Sequence, residues 1–180
     1  MAEIVYLDSP MDSNELFERL CPPVRQWFQD KFPDFTRPQK LAIPAIMDQQ
    51  HLLLCSPTGS GKTLTAFLSV LDKLVRLSLD KKLEKKVYAV YISPIKALAN
   101  DIQRNLIGPL TEIKERYLPD RAQDIRVGLR TGDTSQSDRQ KMLRNPPHIL
   151  ITTPESLAIA ITSPRFQPIV SEVEYMIIDE

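Results

Sequence analysis

The chain has 180 residues, 42% of them hydrophobic, which allows one domain with a real core and excludes a disordered chain. Its 23 basic and 23 acidic residues cancel, so a face for nucleic acid has to be local. No apolar run approaches the length of a membrane span, the first residues do not read as a secretory leader, and Cys21 and Cys55 fit free thiols, so a soluble cytoplasmic protein is expected.

Residues 1–34 read as a helical lead-in. Ser13-Asn14-Glu15-Leu16 can cap a first helix, which Cys21-Pro22-Pro23 stops. Val24 to Phe32 reads as a second helical piece with Trp27, Phe28 and Phe32 as its apolar residues, closed by Pro33. In Phe35-Thr36-Arg37-Pro38-Gln39, Thr36 can cap a helix with Pro38 in its first turn. Ala42, Ile43, Ile46 and Met47 then supply a buried face. A capped helix accounts for Gln39 without further duty.

His51-Leu52-Leu53-Leu54-Cys55 reads as a buried strand. Ser56-Pro57-Thr58-Gly59-Ser60-Gly61-Lys62-Thr63 follows, and then an amphipathic helix from Leu64 through Leu71, Leu74 and Val75. Strand, glycine loop and helix is the context of a phosphate-binding loop. Glycines let backbone N–H groups turn toward a polyphosphate, and the helix N-terminus adds a partial positive charge. Lys62 would reach the β- and γ-phosphates, and the Thr63 hydroxyl would hold Mg²⁺. Asp80 to Lys86 is a charged stretch that reads as solvated.

Val87 to Ile92 is a strand apolar throughout. Ser93-Pro94 turns into a helix striped by Ile95, Leu98, Ala99, Ile102 and Leu106, with a further helical piece after Pro109. Ile125 to Leu129 reads as a strand, Thr131-Gly132-Asp133-Thr134 as a tight turn, and the polar residues up to Arg144 as a helix. His148 to Thr152 is the next strand, and Thr153-Pro154 opens another helix. Val173 to Ile178 is the last strand, ending on Asp179-Glu180. Five strands alternating with helices predict a doubly wound parallel α/β sheet.

Ligands bind such sheets at the carboxyl ends of strands, and the polar motifs all fall there. Asp179 would bind Mg²⁺ and Glu180 would polarise an attacking water. The loops at Ser93–Asp101, Thr131–Thr134 and Thr152–Glu155 offer hydroxyls, helix-start N–H groups and Lys96. These groups suit phosphodiester oxygens, although each loop alone is more often a cap.

The order of these motifs resembles the first RecA-like domain of a superfamily 2 DExH-type helicase. Phe35 to Gln39 is similar to the Q-motif, whose glutamine recognises adenine. Pro57 to Thr63 is similar to motif I, with Thr58, Gly59, Ser60, Gly61, Lys62 and Thr63 on ATP. Ser93, Pro94 and Lys96 lie in a motif Ia-like stretch, and Thr131, Gly132, Asp133 and Thr134 in a motif Ib-like one. Thr152 and Thr153 open a further strand-contacting motif, and Asp179-Glu180 looks like the start of motif II. The wording of Lys96-Ala97-Leu98-Ala99-Asn100-Asp101 and Gly132-Asp133-Thr134 is most like the large helicase-related (Lhr) type.

That resemblance implies an ATP- and Mg²⁺-dependent P-loop translocase. It would move 3′ to 5′ on single-stranded DNA and displace DNA or RNA strands, including RNA–DNA hybrids. Residues 35–180 would then be part of an ATP-binding domain, and a second RecA-like domain is expected beyond Glu180. The strand that pairs between 51–55 and 173–178 would also come after Glu180, leaving both with uncovered apolar side chains. A P-loop phosphotransferase and a non-catalytic nucleotide-binding module are the alternatives.

Overall fold

The computed structural model describes residues 4–57, 59–94 and 102–179. The helices are α1 (Ser13–Arg19), α2 (Pro22–Lys31), α3 (Arg37–Met47), α4 (Lys62–Leu79), α5 (Gly108–Arg116), α6 (Gln136–Arg144), α7 (Pro154–Thr162) and α8 (Gln167–Val170). The strands are β1 (Ala89–Ile92), β2 (Val127–Arg130), β3 (Ile149–Thr152) and β4 (Tyr175–Ile178), and a π-helical turn spans Gln103–Ile107. The chain divides into two compact units, Met1–Lys73 with Asn105–Pro119, and Leu74–Arg104 with Asp120–Glu180.

The first unit is helical. Asp12, one residue earlier than expected, caps α1 by accepting from the N–H groups of Asn14 (2.8 Å) and Glu15 (3.4 Å). Aromatic rings hold α1, α2 and the start of α3 together. Phe28 stacks on Phe35 with centroids 4.2 Å apart, and Phe17 lies 4.6 Å from Phe35. Phe28 is wholly buried. The Trp27 indole donates to Glu112 on α5 at 2.7 Å, and Lys31 pairs with the same carboxylate at 2.8 Å. Both bonds hold the Glu112 carboxyl below the usual carboxylate range, Lys31 contributing first. Pro44 stands inside α3 and has no N–H to give to the Lys40 carbonyl one turn back. The Met11 N–H donates to that carbonyl instead, at 3.2 Å.

The second unit carries the sheet, in the order β2-β3-β1-β4, with every pairing parallel. The interior strands β1 and β3 are buried at each position, which their unbroken apolar runs require. Val87, Val90, Ile92, Leu150, Ala160 and Phe166 form a core beneath α6 to α8. The edge strands are partly open: Leu129 on β2, and Met176 and Ile178 on β4, are more than half exposed.

The expected parallel α/β architecture is therefore present, with four strands among the described residues where five were expected. Residues 51–57 form no strand, and Leu53 is 87% exposed. A strand gains little by itself; it needs a neighbour to take up its N–H and C=O groups. Among the described residues this run pairs with no ladder, and Cys55 is exposed rather than buried.

Truncating Phe28 to Ala empties a site at the centre of the aromatic cluster, so Phe28→Ala should cost about 3–5 kcal/mol in urea unfolding. Leu53→Ala should stay within about 0.5 kcal/mol of wild type. Equal costs for the two would show that the 51–57 run is packed.

Candidate functional site

The glycine loop belongs to the first unit. Gly59 and Gly61 have φ of +80° and +86°, a region that side chains rarely adopt. At Gly61 space is limiting too, since a Cβ there would stand 2.9 Å from the Gln39 Nε2. Gln39 is buried, and its carbonyl oxygen accepts from the Thr36 N–H at 2.8 Å at the start of α3. The Thr36 hydroxyl donates to the Ser60 carbonyl at 3.1 Å. Gln39 and Thr36 thus brace the loop from below, and the amide oxygen keeps a second lone pair.

Lys62 opens α4, an 18-residue helix. Its ammonium donates to the carbonyls of Ser56 (2.5 Å) and Pro57 (3.0 Å), so it is folded back across the loop. The hydroxyls of Ser56 and Ser60 meet at 2.6 Å. A cation at a long helix's N-terminus, beside two left-handed glycines, is a donor set that fits a polyphosphate. Thr63 stands in the first turn of the same helix. Thr58 lies outside the described residues.

The strand-end residues belong to the second unit, and the ladder aligns them. Ile92 pairs with Thr152 on one side and Ile178 on the other, and Arg130 pairs with Thr152. The next residues, Thr131, Thr153, Ser93 and Asp179, therefore fall in one row along the carboxyl edge. With strands about 4.8 Å apart, that row is some 14 Å long.

Within the row the hydroxyls already have duties. Thr134 accepts from the Thr131 N–H at 2.8 Å and closes the turn, with Gly132 and Asp133 exposed at its tip. Thr153 caps α7 through the Ser156 N–H at 3.3 Å. Thr152 is fully buried and its hydroxyl points back to the Thr153 carbonyl, 3.4 Å away. Ser93 is 1% exposed, and its Oγ meets no partner among the described residues. Pro94 beside it is exposed. The Asp179 carboxylate accepts from the Tyr91 hydroxyl at 2.6 Å, and its N–H donates to the Ile92 carbonyl at 3.0 Å. Lys96 and Glu180 lie outside the described residues, as does all of Ile95–Asp101.

Two features were not anticipated from sequence. Tyr91 sits two residues before Ser93 on the face that Ile177 and Asp179 share, which only the β1–β4 register shows. Arg130 is 7% exposed, and its guanidinium lies 4.2 Å over the Phe166 ring. Burial first, and the neighbouring Arg139 charge second, lower its pKa. No helix among the described residues is long and apolar enough to cross a membrane.

Comparison with known proteins agrees with this geometry. The chain is 48% identical over its whole length to the ATP-dependent helicase Lhr-Core of Methanocaldococcus jannaschii, and covers 22% of that protein. It is 45% identical to the Lhr helicase/uracil glycosylase of Escherichia coli, over 96% of this chain and 12% of that one. Among solved structures, Mycobacterium smegmatis helicase Lhr bound to ssDNA and AMP-PNP superposes with a TM-score of 0.77 at 42% identity, over 90% of this chain and 20% of that one. The chain thus spans about a fifth of the length of the first curated relatives it matches. The DEAD/DEAH box helicase family profile matches residues 36–180, and with that match over most of its length the chain belongs to the DEAD/DEAH box helicase family.

Proposed function

We propose that this chain is the ATP-binding part of the first motor domain of an Lhr-type helicase, which uses ATP to move along single-stranded DNA and displace a paired DNA or RNA strand. The observation that carries this reading is the loop. Lys62 stands at the head of α4 behind two left-handed glycines, and Gln39 packs against the second. The likeness to an Lhr structure holding ssDNA and AMP-PNP supports it. The Lhr resemblance supports a 3′-to-5′ direction of movement. Residues 1–34 are the helical lead-in and 35–180 the motor part, to be completed by a second RecA-like domain.

In this reading Lys62 exchanges its two carbonyl acceptors for β- and γ-phosphate oxygens, which are stronger, charged partners. The backbone of Thr58 to Thr63 holds the remaining phosphate oxygens, and Gln39 turns its amide edge to adenine. Thr63 and Asp179 are the side chains assigned to Mg²⁺, which neutralises charge on the transferring phosphoryl group when bound. One hydroxyl and one carboxylate suit Mg²⁺, which takes its other ligands from phosphates and water. Tyr91 holds the Asp179 carboxylate in place, and Glu180 polarises the attacking water. Ser93, Pro94, Lys96, Thr131 to Thr134, Thr152 and Thr153 form the track for the strand's phosphates, which positions the strand without reading its sequence.

The test is ATP turnover by the full-length protein with and without single-stranded DNA. Lys62→Ala should abolish it, and turnover within a few-fold of wild type would remove Lys62 from the reading. Glu180→Gln should still bind ATP while turnover falls by roughly 10² or more. Normal turnover in that variant would refute the water-polarising role. Thr134→Ala and Lys96→Ala should weaken DNA binding evenly across sequences, measured by fluorescence anisotropy on several oligonucleotides.

A further inference from the structure

A cleft rich in basic residues lies within the sheet unit. It has a volume of about 540 Å³ and opens between the end of β2, α6 and the turn at residues 163–166. Arg130, Arg139 and Arg165 line it with Thr134, Gln136 and Ser163, and no Asp or Glu among the described residues does. The carboxylate of Asp138 on the same helix is engaged elsewhere, by Lys141 at 2.9 Å and the Ser135 hydroxyl at 2.7 Å.

Two of the arginines are held in unusual surroundings. Arg130 is more than nine-tenths buried, against the Phe166 ring. Arg139 donates one amino group to the Gly132 carbonyl at 2.9 Å, while its Nε is buried and donates to no atom among the described residues. Burying a guanidinium, and leaving an N–H unanswered, both cost free energy. A second cation nearby adds to that cost: burial first, and the Arg139 charge second, lower the Arg130 pKa. An anion in the cleft would offset all three. The planar fork of arginine matches the oxygens of a phosphate, with two parallel N–H···O bonds.

We propose that this cleft is a phosphate-binding site in which Arg130, Arg139 and Arg165 are the cations and Ser163 the hydroxyl donor. Arg139 also braces the Thr131–Thr134 turn, so a phosphate here bears directly on the strand-end row. The phosphate is either a phosphodiester of the single strand or a small free phosphate. The first source rests on the helicase reading above; the second does not.

The experiment uses the full-length protein and the variants R139Q, R165Q and R139K. Arg165 is exposed, so R165Q removes a charge with no core to disturb. One arm measures anisotropy of a labelled single-stranded oligonucleotide across NaCl concentrations. If the strand supplies the phosphate, each Gln variant lowers the slope of log K against log salt by about 0.7. R139K keeps that slope and loses affinity, because the charge stays and the fork goes. The other arm compares melting temperatures in inorganic phosphate and in chloride at equal ionic strength. If a small phosphate is the ligand, wild type is stabilised by phosphate and the Gln variants less so. The loop around Lys62 is the same in all of these proteins, so the difference between them isolates the cleft. A change in either arm supports the site and names its ligand. Wild-type slopes together with wild-type phosphate stabilisation in both Gln variants would overturn it. Failure of the wild-type protein to bind the oligonucleotide would instead sink the helicase reading, and the melting arm would still decide the cleft.

Discussion

An in-register parallel ladder is the constraint on which the sheet unit depends. Ile92 has Thr152 on one flank and Ile178 on the other, and Thr152 has Arg130 beyond it. Because no strand is offset, each chain leaves the sheet at the same level. The ends of four separate strands therefore bring Thr131, Thr153, Ser93 and Asp179 to one line. A slip of one residue in any pair would turn its side chains to the opposite face and break that line. The fully buried interiors of β1 and β3 forbid the slip, since it would have to repack apolar residues on both faces.

The glycine loop depends on a different kind of constraint. Gly59 is required only by its backbone, as a Cβ there would meet nothing. Gly61 is required twice, by its backbone and by the Gln39 amide pressed against it. Gln39 in turn is fixed by the Thr36 N–H, so the start of α3 and the start of α4 are set against each other by one side chain. A residue that the sequence accounts for as part of a capped helix start is also a spacer under the glycine loop, and both duties leave part of its amide for hydrogen bonding.

What sequence makes legible here is local chemistry with a strict requirement. A loop that must turn left-handed shows glycines, and a helix that must start shows Thr36 or Thr153. A strand buried on both faces shows an unbroken apolar run, as 87–92 and 148–152 do. The run at 51–55 has the same appearance and forms no strand, because strand formation is decided by a neighbour and not by the run. The arginine cleft was illegible for a related reason. Arg130 ends a strand, Arg139 lies in a helix that reads as merely polar, and Arg165 follows another helix. Only packing makes them neighbours, and only the structure shows that, among the described residues, no carboxylate lines the cleft with them.

Trp27 is the chain's single tryptophan, and its indole N–H is given to Glu112 inside the helical unit. Its near-ultraviolet emission therefore reports that unit alone, with no competing fluorophore of its kind in the sheet. The bond is to an ionised carboxylate whose pKa is held low, so it is intact at neutral pH. It weakens as acid drives the pH down through that lowered pKa, where the carboxyl loses its charge. The colour of the emission, followed during unfolding beside a probe of the β-sheet, would tell whether the two units melt as one or in turn.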